Sequence, residues 1–229
     1  MRYARQIAIP GFGKDGQDKL SKAKVFIIGC GALGSMAAMQ LAGAGIATIG
    51  IADYDTIDIS NLQRQFFFTT AEAGRKKVEV LAERMKLLNP LVEVRVHDEF
   101  ITPDKARKII PEYDFIIDAS DNPDSKRMTG IVTKEMGKPC CIAGVRDFSG
   151  QVLTMLPSDP RFEEFFGNVS NPDVLPCSLS GVIGPAAAVA ASIQASETIK
   201  YFSQVGEILS GRLIIFDLLS NSFNRLSLI

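Results

Sequence analysis

The stretch KVFIIGCGALGSMAAMQLAGAG, residues 24–45, decides the fold of this 229-residue chain. It opens with an apolar run at 25–28, passes through a glycine-punctuated turn and continues with small apolar residues at helical spacing over 33–42. Read in order, that is a buried strand, a tight turn and a helix. A second apolar run, ATIGIAD at 47–53, closes a unit of the size of a strand–helix–strand crossover, which calls for a parallel sheet. Within the turn, GCGALG matches G-x-G-x-x-G in the required context, and Asp53 follows at the distance, about 20 residues, where an acid meets a ribose. Gly29 would allow the turn, Gly31 would let a phosphate approach the backbone, and Gly34 would permit close helix packing. Asp53 would accept hydrogen bonds from ribose hydroxyls. The pattern predicts a nucleotide, with NAD and FAD as its ordinary guests.

Outward from this unit the alternation continues. A polar loop, YDTIDISNLQRQ at 54–65, leads to an amphipathic helix expected over 75–88 and stopped by Asn89-Pro90, then to the alternating strand VEVRV. DFIID at 114–118 repeats the buried strand ending in an acid, and 123–136 reads as the next helix. The expected core is a Rossmann-like, doubly wound α/β fold with a mainly parallel sheet. Past Lys138, PCCIAGVRDFSGQVLTML reads as two neighbouring strands turning near Phe148-Ser149-Gly150, an antiparallel extension of the sheet in the C-terminal half. Residues 157–180 carry four prolines and are expected to form a long crossover loop. A largely apolar helix over 181–204 is too short and alanine-rich to span a membrane, and RLIIFDLLSNSFNRLSLI closes the chain as a hairpin. With no internal repeat or linker, residues 1–229 are expected to form one domain.

Composition narrows the chemistry. Lys and Arg number 25 against 26 Asp and Glu, so no long-range field of one sign calls for nucleic acid or membrane. Cys30, Cys140, Cys141 and Cys177 make no C-x-x-C pair, which argues against a disulfide framework and a structural zinc site and suits a reducing cytoplasm. The first 20 residues have scattered charges and no apolar core, so no signal peptide is expected. A single histidine, His97, makes Ser-His triads and most metal sites improbable and is itself expected to be structural or exposed.

Three groups of polar and cationic residues point from a dinucleotide towards ATP. The loop after Asp53 carries Asn61, Arg64 and Gln65; the next helix opens with Arg75, Lys76 and Lys77; the N-terminus supplies Arg2 and Arg5. If they face one nucleotide, they match a triphosphate, which needs Arg and Lys clamps beyond a helix N-terminus. Asp118 and Asp121 follow a parallel strand, where open α/β sheets put ligands; one would cap the next helix, and Asp121 is the expected Mg²⁺ ligand. Cys177, before the last helix, is either a thiol activated by the helix dipole or a bystander, whereas Cys30, Cys140 and Cys141 read as packing residues. The aromatic triplet 66–68 is expected in the core, with a groove for a partner as its alternative.

Taken together, RYARQI (2–7), GCGALG, IADYDTIDISNLQRQF (51–66), GRKKVE (74–79), DASDN (118–122) and CSLSGVIGP (177–185) resemble the ThiF/MoeB/HesA-type activating enzymes, bacterial relatives of the ubiquitin-activating enzymes, over nearly the whole chain. The resemblance implies ATP-dependent adenylation of the C-terminal Gly-Gly carboxylate of a small ubiquitin-fold sulfur-carrier protein, serving thiamine, molybdopterin or related sulfur insertion. In those terms Asp53 holds the ribose, Asn61, Arg64 and Lys77 the phosphates, and Asp121 the Mg²⁺; Asp55, Gln65 and Asn122 belong to the nucleotide-binding set. Arg5 looks like the arginine that reaches into the other subunit of a homodimer, and Cys177 like the position that links covalently to the carrier. Two departures stand out. The chain lacks the two C-x-x-C pairs of many members, which implies a zinc-free subgroup, and the arginine of DNxxxR is replaced by Lys126, with Arg127 beside it.

An ionised carboxylate needs no general base, which suits a histidine-poor site. The rival expectations are a tRNA-modifying dehydratase of the same superfamily, disfavoured by the near-neutral charge; a NAD- or FAD-dependent oxidoreductase; and a non-catalytic nucleotide-binding scaffold.

Overall fold

Lys24–Ile28 forms β1, with Val25 and Ile27 facing one side of the sheet and Phe26 and Ile28 the other, all buried. Such two-sided burial is what a central parallel strand requires. The structure, a computed structural model, describes residues 2–159 and 181–228. In chain order the elements are α1 (Ala4–Ile7), α2 (Gly13–Leu20), β1, α3 (Ala32–Ala44), β2 (Thr48–Ala52), α4 (Lys77–Leu88), β3 (Glu93–His97), α5 (Pro103–Ile109), β4 (Phe115–Asp118) and α6 (Pro123–Glu135). They continue with β5 (Cys140–Arg146), β6 (Ser149–Met155), α7 (Gly184–Ser203), β7 (Arg212–Asp217) and β8 (Ser222–Ser227).

One eight-stranded sheet runs in the order β3-β2-β1-β4-β5-β6-β7-β8. The first five are parallel, with Val25 paired to Ile49 on one side and Phe115 on the other, and β5 to β8 are antiparallel. The expected doubly wound sheet with an antiparallel extension is therefore observed. Leu33, Ala37 and Leu41 of α3, Val78 and Leu81 of α4, and Ala187, Ala190 and Ala191 of α7 cover one face. Ala106 of α5 and Val132 of α6 belong to the smaller core on the other. Alanines let α7 lie close to the sheet, and its Gln194 Nε2, fully buried, donates to the carbonyls of Asp118 (2.9 Å) and Cys141 (3.1 Å).

The strand and helix bounds move by one to three residues from expectation, except at the ends. The helix expected from residue 181 starts at Gly184, because residues 181–183 are extended: Val182 bridges Asp147, and Asp147 N donates to Gly181 O at 2.7 Å. The turn between β5 and β6 falls on Asp147, whose φ is +51°. Three helices have no counterpart in the reading of the sequence: α1, α2 and α5. Of the expected crossover loop, residues 160–180 lie outside the described residues, and Cys177 lies with them.

Candidate active site

The C-terminal ends of the parallel strands and the loops that follow them enclose a cleft of about 470 Å³, a volume suited to a small-molecule ligand. β1 enters it through Gly29, whose φ is +94° and whose missing Cβ would lie 2.9 Å from the Ala119 carbonyl oxygen. Gly31 starts α3 with no side-chain cap. First-turn amides therefore face a cleft that Gly31, Ala32 and Leu33 line, an arrangement that receives an anion. Gly34 makes the turn close: a Cβ there would sit 1.7 Å from the Gly29 carbonyl oxygen. Beside Gly31 lies Gln65, buried, with its Oε1 lacking a partner among the described residues. A buried amide oxygen without a donor is costly in a finished site and fits one that a ligand completes.

Asp53 follows β2 and lines the cleft. Its Oδ2 accepts from Cys30 N at 2.7 Å and its Oδ1 from Asp55 N at 2.9 Å. Each oxygen keeps a further lone pair for a ligand hydroxyl. The loop behind it is fixed by a local cap: Asp58 Oδ1 accepts from Ser60 N at 2.8 Å, and Asn61 Oδ1 from Asp58 N at 3.4 Å. That one-turn helix, 59–61, brings Asn61, Arg64 and Gln65 to the cleft wall. Arg64 is half-buried, with Nη1 donating to Ser60 O at 3.2 Å.

The cations grouped from the sequence do not stay together. Lys77 lines the cleft, 5% exposed, with its ammonium 2.9 Å from Asp55 Oδ2. Its neighbours do not, because successive residues at a helix start point in different directions. Arg75 pairs with Glu83 at 2.6 Å and Lys76 with Asp98 at 3.0 Å. Arg2 Nη1 donates to Leu88 O at 2.7 Å, at the end of α4 remote from the site. Arg5 is exposed on α1, which is held to the C-terminal end of α3: Gln6 Nε2 donates to Ala44 O, and Asn89 Nδ2 donates to Tyr3 Oη. The 13 residues of α3 put about 20 Å between that end and the phosphate turn. The expectation that Arg2 and Arg5 join the other cations around one nucleotide is thus corrected within a single chain.

A second correction concerns the acids after β4. Neither Asp118 nor Asp121 caps α6; Asn122 does, accepting from Asp124 N at 2.8 Å, while still lining the cleft. Asp118 is fully buried and accepts from the hydroxyls of Ser120 and Thr129, both at 2.6 Å, and from Lys126 at 3.2 Å. Lys126 also donates to the Ser120 carbonyl and lines the cleft, whereas Arg127 is exposed and outside the lining. Asp121 lines the cleft, exposed, with no hydrogen bond or ion pair among the described residues. Asp55 first, then burial, then Asp121 and Asp53, push the Tyr54 phenol above its ordinary pKa, so three carboxylates converge on that side.

The remaining residues divide plainly. Cys30, Cys140 and Cys141 are buried free thiols; burial pushes Cys140 up to about 12 and raises the other two as well. His97 is half-buried with its ring edge-on to Phe26. Of the aromatic triplet, Phe68 is core, while Phe66 is exposed and lies against Gly184. Sequence reasoning missed Tyr54, Phe100, Ile101 and Val145, all of which line the cleft. Their signal was positional: each follows or ends a strand at the edge where ligands bind.

Residues 3–228 match the model of the ThiF family. The chain is 34% identical to the probable adenylyltransferase/sulfurtransferase MoeZ of Mycobacterium tuberculosis, the alignment covering 99% of this chain and 59% of that protein. It is 33% identical to the sulfur carrier protein adenylyltransferase of Thermus thermophilus, covering 99% and 86%. The chain therefore spans about three fifths of the length of MoeZ and most of the Thermus protein. Among solved structures, E. coli MccB with succinimide has the same fold, with a TM-score of 0.85 at 24% identity over 100% of this chain and 72% of that one.

Proposed function

The chain belongs to the ThiF family, and from that premise we propose that it adenylates the C-terminal Gly-Gly carboxylate of a small ubiquitin-fold sulfur-carrier protein with ATP, releasing pyrophosphate, for thiamine, molybdopterin or related sulfur transfer. The observation that carries this reading is the convergence of the uncapped α3 N-terminus, Asp53, Arg64, Lys77 and Asp121 on one cleft. Two of the relatives are named adenylyltransferases, one of them of a sulfur carrier protein.

The carrier's carboxylate oxygen attacks the α-phosphorus, the bond to the bridging oxygen breaks, and pyrophosphate leaves with that electron pair. The α3 amides, Arg64 and Lys77 meet the charge that develops on the phosphoryl oxygens, with Asn61 and Gln65 beside them. Burial keeps Lys77 in surroundings where its charge acts at full strength. Asp53 orients the ribose. No proton need move to start the reaction, because the nucleophile arrives ionised. Asp121 fits a Mg²⁺ held jointly with phosphate oxygens and water: among the described residues its carboxylate has no partner, and no cluster of protein ligands there would hold a metal alone. When bound, Mg²⁺ would neutralise charge on the triphosphate.

Carrier-dependent ATP–pyrophosphate exchange tests the assignment. Lys77→Ala and Asp121→Ala should each lower it by about a hundredfold or more, the cost of removing one transition-state contact; exchange that survives both would overturn the site.

The enzyme is a homodimer in this reading, with Arg5 acting on the other subunit. Supporting it is the placement of α1 at the opposite end of α3 from the cleft of its own chain. Mixing inactive Arg5→Ala and Lys77→Ala chains should restore activity to about a quarter of wild type, since half the dimers become hybrids with one complete site; no recovery after subunit exchange would refute the trans role. Cys177 is proposed to form a carrier adduct that reductant reverses. Undiminished sulfur transfer in Cys177→Ser would make it a bystander. A cytoplasmic location accords with the buried free thiols, and among the described residues no helix is long and apolar enough to cross a membrane.

A further inference from the structure

The last residue of β4 is held from three directions. Asp118 is wholly buried, and its main-chain oxygen accepts from Gln194 Nε2 of α7 at 2.9 Å. Its carboxylate is held from α6, where Thr129 Oγ1 donates to Oδ2 at 2.6 Å and Lys126 Nζ to Oδ1 at 3.2 Å. Lys126 and Thr129 stand three residues apart, so both reach back from one face of that helix. The same carboxylate accepts from N and Oγ of Ser120, at 3.1 and 2.6 Å, while Lys126 donates to the Ser120 carbonyl. Every polar group of Ser120 is thereby engaged, and the chain is fixed one position before Asp121. On the other side the turn is braced as well: Ala119 N donates to Ile28 O at 2.9 Å, and the Ala119 carbonyl lies against Gly29 of the phosphate turn.

A turn can be held at lower cost than this. A wholly buried carboxylate loses its water, and a neutral hydroxyl could meet the same backbone groups. What the ion pair adds is a cation that belongs to the turn and to the cleft at once. The Lys126 side chain is 17% exposed and lines the cleft with Ser120, Asp121 and Asn122. An ammonium has three N–H donors; Asp118 and Ser120 take two, and the third has no acceptor among the described residues. We propose that Lys126 is a positioning residue for Asp121 and itself a phosphate contact. Through Asp118 and Ser120 it fixes the backbone from which Asp121 reaches into the cleft, and its remaining N–H meets an oxygen of the triphosphate. The inference rests on reading the cleft as an ATP site and goes beyond it by adding a cation and the network that aims the metal-side acid.

Calorimetric titration with ATP, in EDTA and again with saturating Mg²⁺, separates the two roles. In EDTA, Lys126→Met should bind ATP about tenfold more weakly, the loss of one charged hydrogen bond, and the further affinity that Mg²⁺ brings to wild type should shrink. Thr129→Val keeps the lysine but loosens Asp118, so its affinity in EDTA should match wild type while the gain from Mg²⁺ shrinks. Arg127→Met, the exposed neighbour outside the cleft lining, should change neither. Lys126→Met leaves Asp118 without its cation; if that chain does not fold, Lys126→Met with Asp118→Asn, compared with Asp118→Asn alone, takes its place. Wild-type affinity in EDTA for the lysine variant, or an equal loss in Arg127→Met, would overturn the phosphate contact. An undiminished gain from Mg²⁺ in both Lys126→Met and Thr129→Val would overturn the positioning role, even if their unfolding temperatures fall. Failure of the wild-type chain to bind ATP at all would instead bring down the proposed function, and this inference with it.

Discussion

The two halves of the sheet are made to different specifications. In the parallel half every residue of β2 and β4 is buried, and so is β1 after its first, because helices cover both faces. In the antiparallel half β7 has one buried residue and β8 none. α7 lies over one side there, while Phe223, Leu226 and Leu219 remain 59%, 47% and 70% exposed. Residues that build the cleft come overwhelmingly from the first half. Parallel strands end together on one edge, and their crossovers supply the loops that surround a ligand; a hairpin returns its chain at once and supplies none. The chemistry sits where β2, β1 and β4 are covered on both faces, although β3 at the edge is only partly buried.

Substitutions can break or sharpen this contrast. The largest effect belongs to Gly34→Ala, whose Cβ would fall on the Gly29 carbonyl; it should leave no soluble folded protein. Gly206→Ala, beyond α7 with φ of +75° and room for a methyl group, should cost only about 1–2 kcal/mol, the strain of a left-handed residue. Soluble yield of the two, with thermal unfolding of whatever folds, compares the halves directly, and equal yield and stability would erase the difference in packing tolerance. Next, Phe216→Ala removes a fully buried ring of β7 and should cost about 3–5 kcal/mol. Phe223→Ala, in the ring stacked on it 5.6 Å away, should cost less than about 1 kcal/mol. A large loss at Phe223 in denaturant titration would mean that the open face is covered in solution.

Smaller still is the electrostatic comparison. Asp55→Asn strands the buried Lys77 ammonium, but Asp55 is itself 48% exposed, so the loss should be about 1 kcal/mol rather than the figure for a fully buried pair. Glu207→Gln, which breaks the exposed pair with Arg212, should leave the denaturation midpoint unchanged within error. Smallest is His97. Burial lowers its pKa below the ordinary value, with Glu99 and Glu112 opposing in part. The fold therefore favours neutral imidazole: the stabilisation is present above about pH 6.5 and is lost as pH falls through the depressed value. As the sole histidine, it gives one imidazole signal in an NMR titration, and a midpoint at or above about 6.5 would contradict the burial.

What the sequence made legible was whatever is encoded locally. GCGALG specified β1, the turn and α3 because Gly29 takes a left-handed φ and Gly34 lies against the Gly29 carbonyl five residues back, and Asp53 followed from crossover length. The final hairpin was visible through alternation. Hidden were features that depend on which side of an element a residue faces. Three consecutive cations, Arg75, Lys76 and Lys77, cannot be sorted without the helix start, and Arg5 cannot be placed without knowing that Tyr3, Gln6 and Asn89 clamp α1 to the far end of α3. Four residues of α1 are too few for any periodicity to register. α5, in contrast, carried a readable start in Thr102-Pro103, with Thr102 Oγ1 accepting from Lys105 N. At the site, Asn122 rather than an aspartate took the cap, which freed Asp121.

The strand order has a consequence in time. β1 lies between β2 and β4, yet β4 begins 87 residues after β1 ends, at Phe115 against Ile28. At the usual pace of translation, about 5–20 residues per second, one margin of β1 waits on the order of 5–15 s for its partner. Throughout that interval the ribosome presents a strand reading KVFII with a bare row of amides and carbonyls. A nascent chain of this design meets its greatest hazard before the second half exists, and chaperone dependence should fall sharply once residue 118 has cleared the exit tunnel.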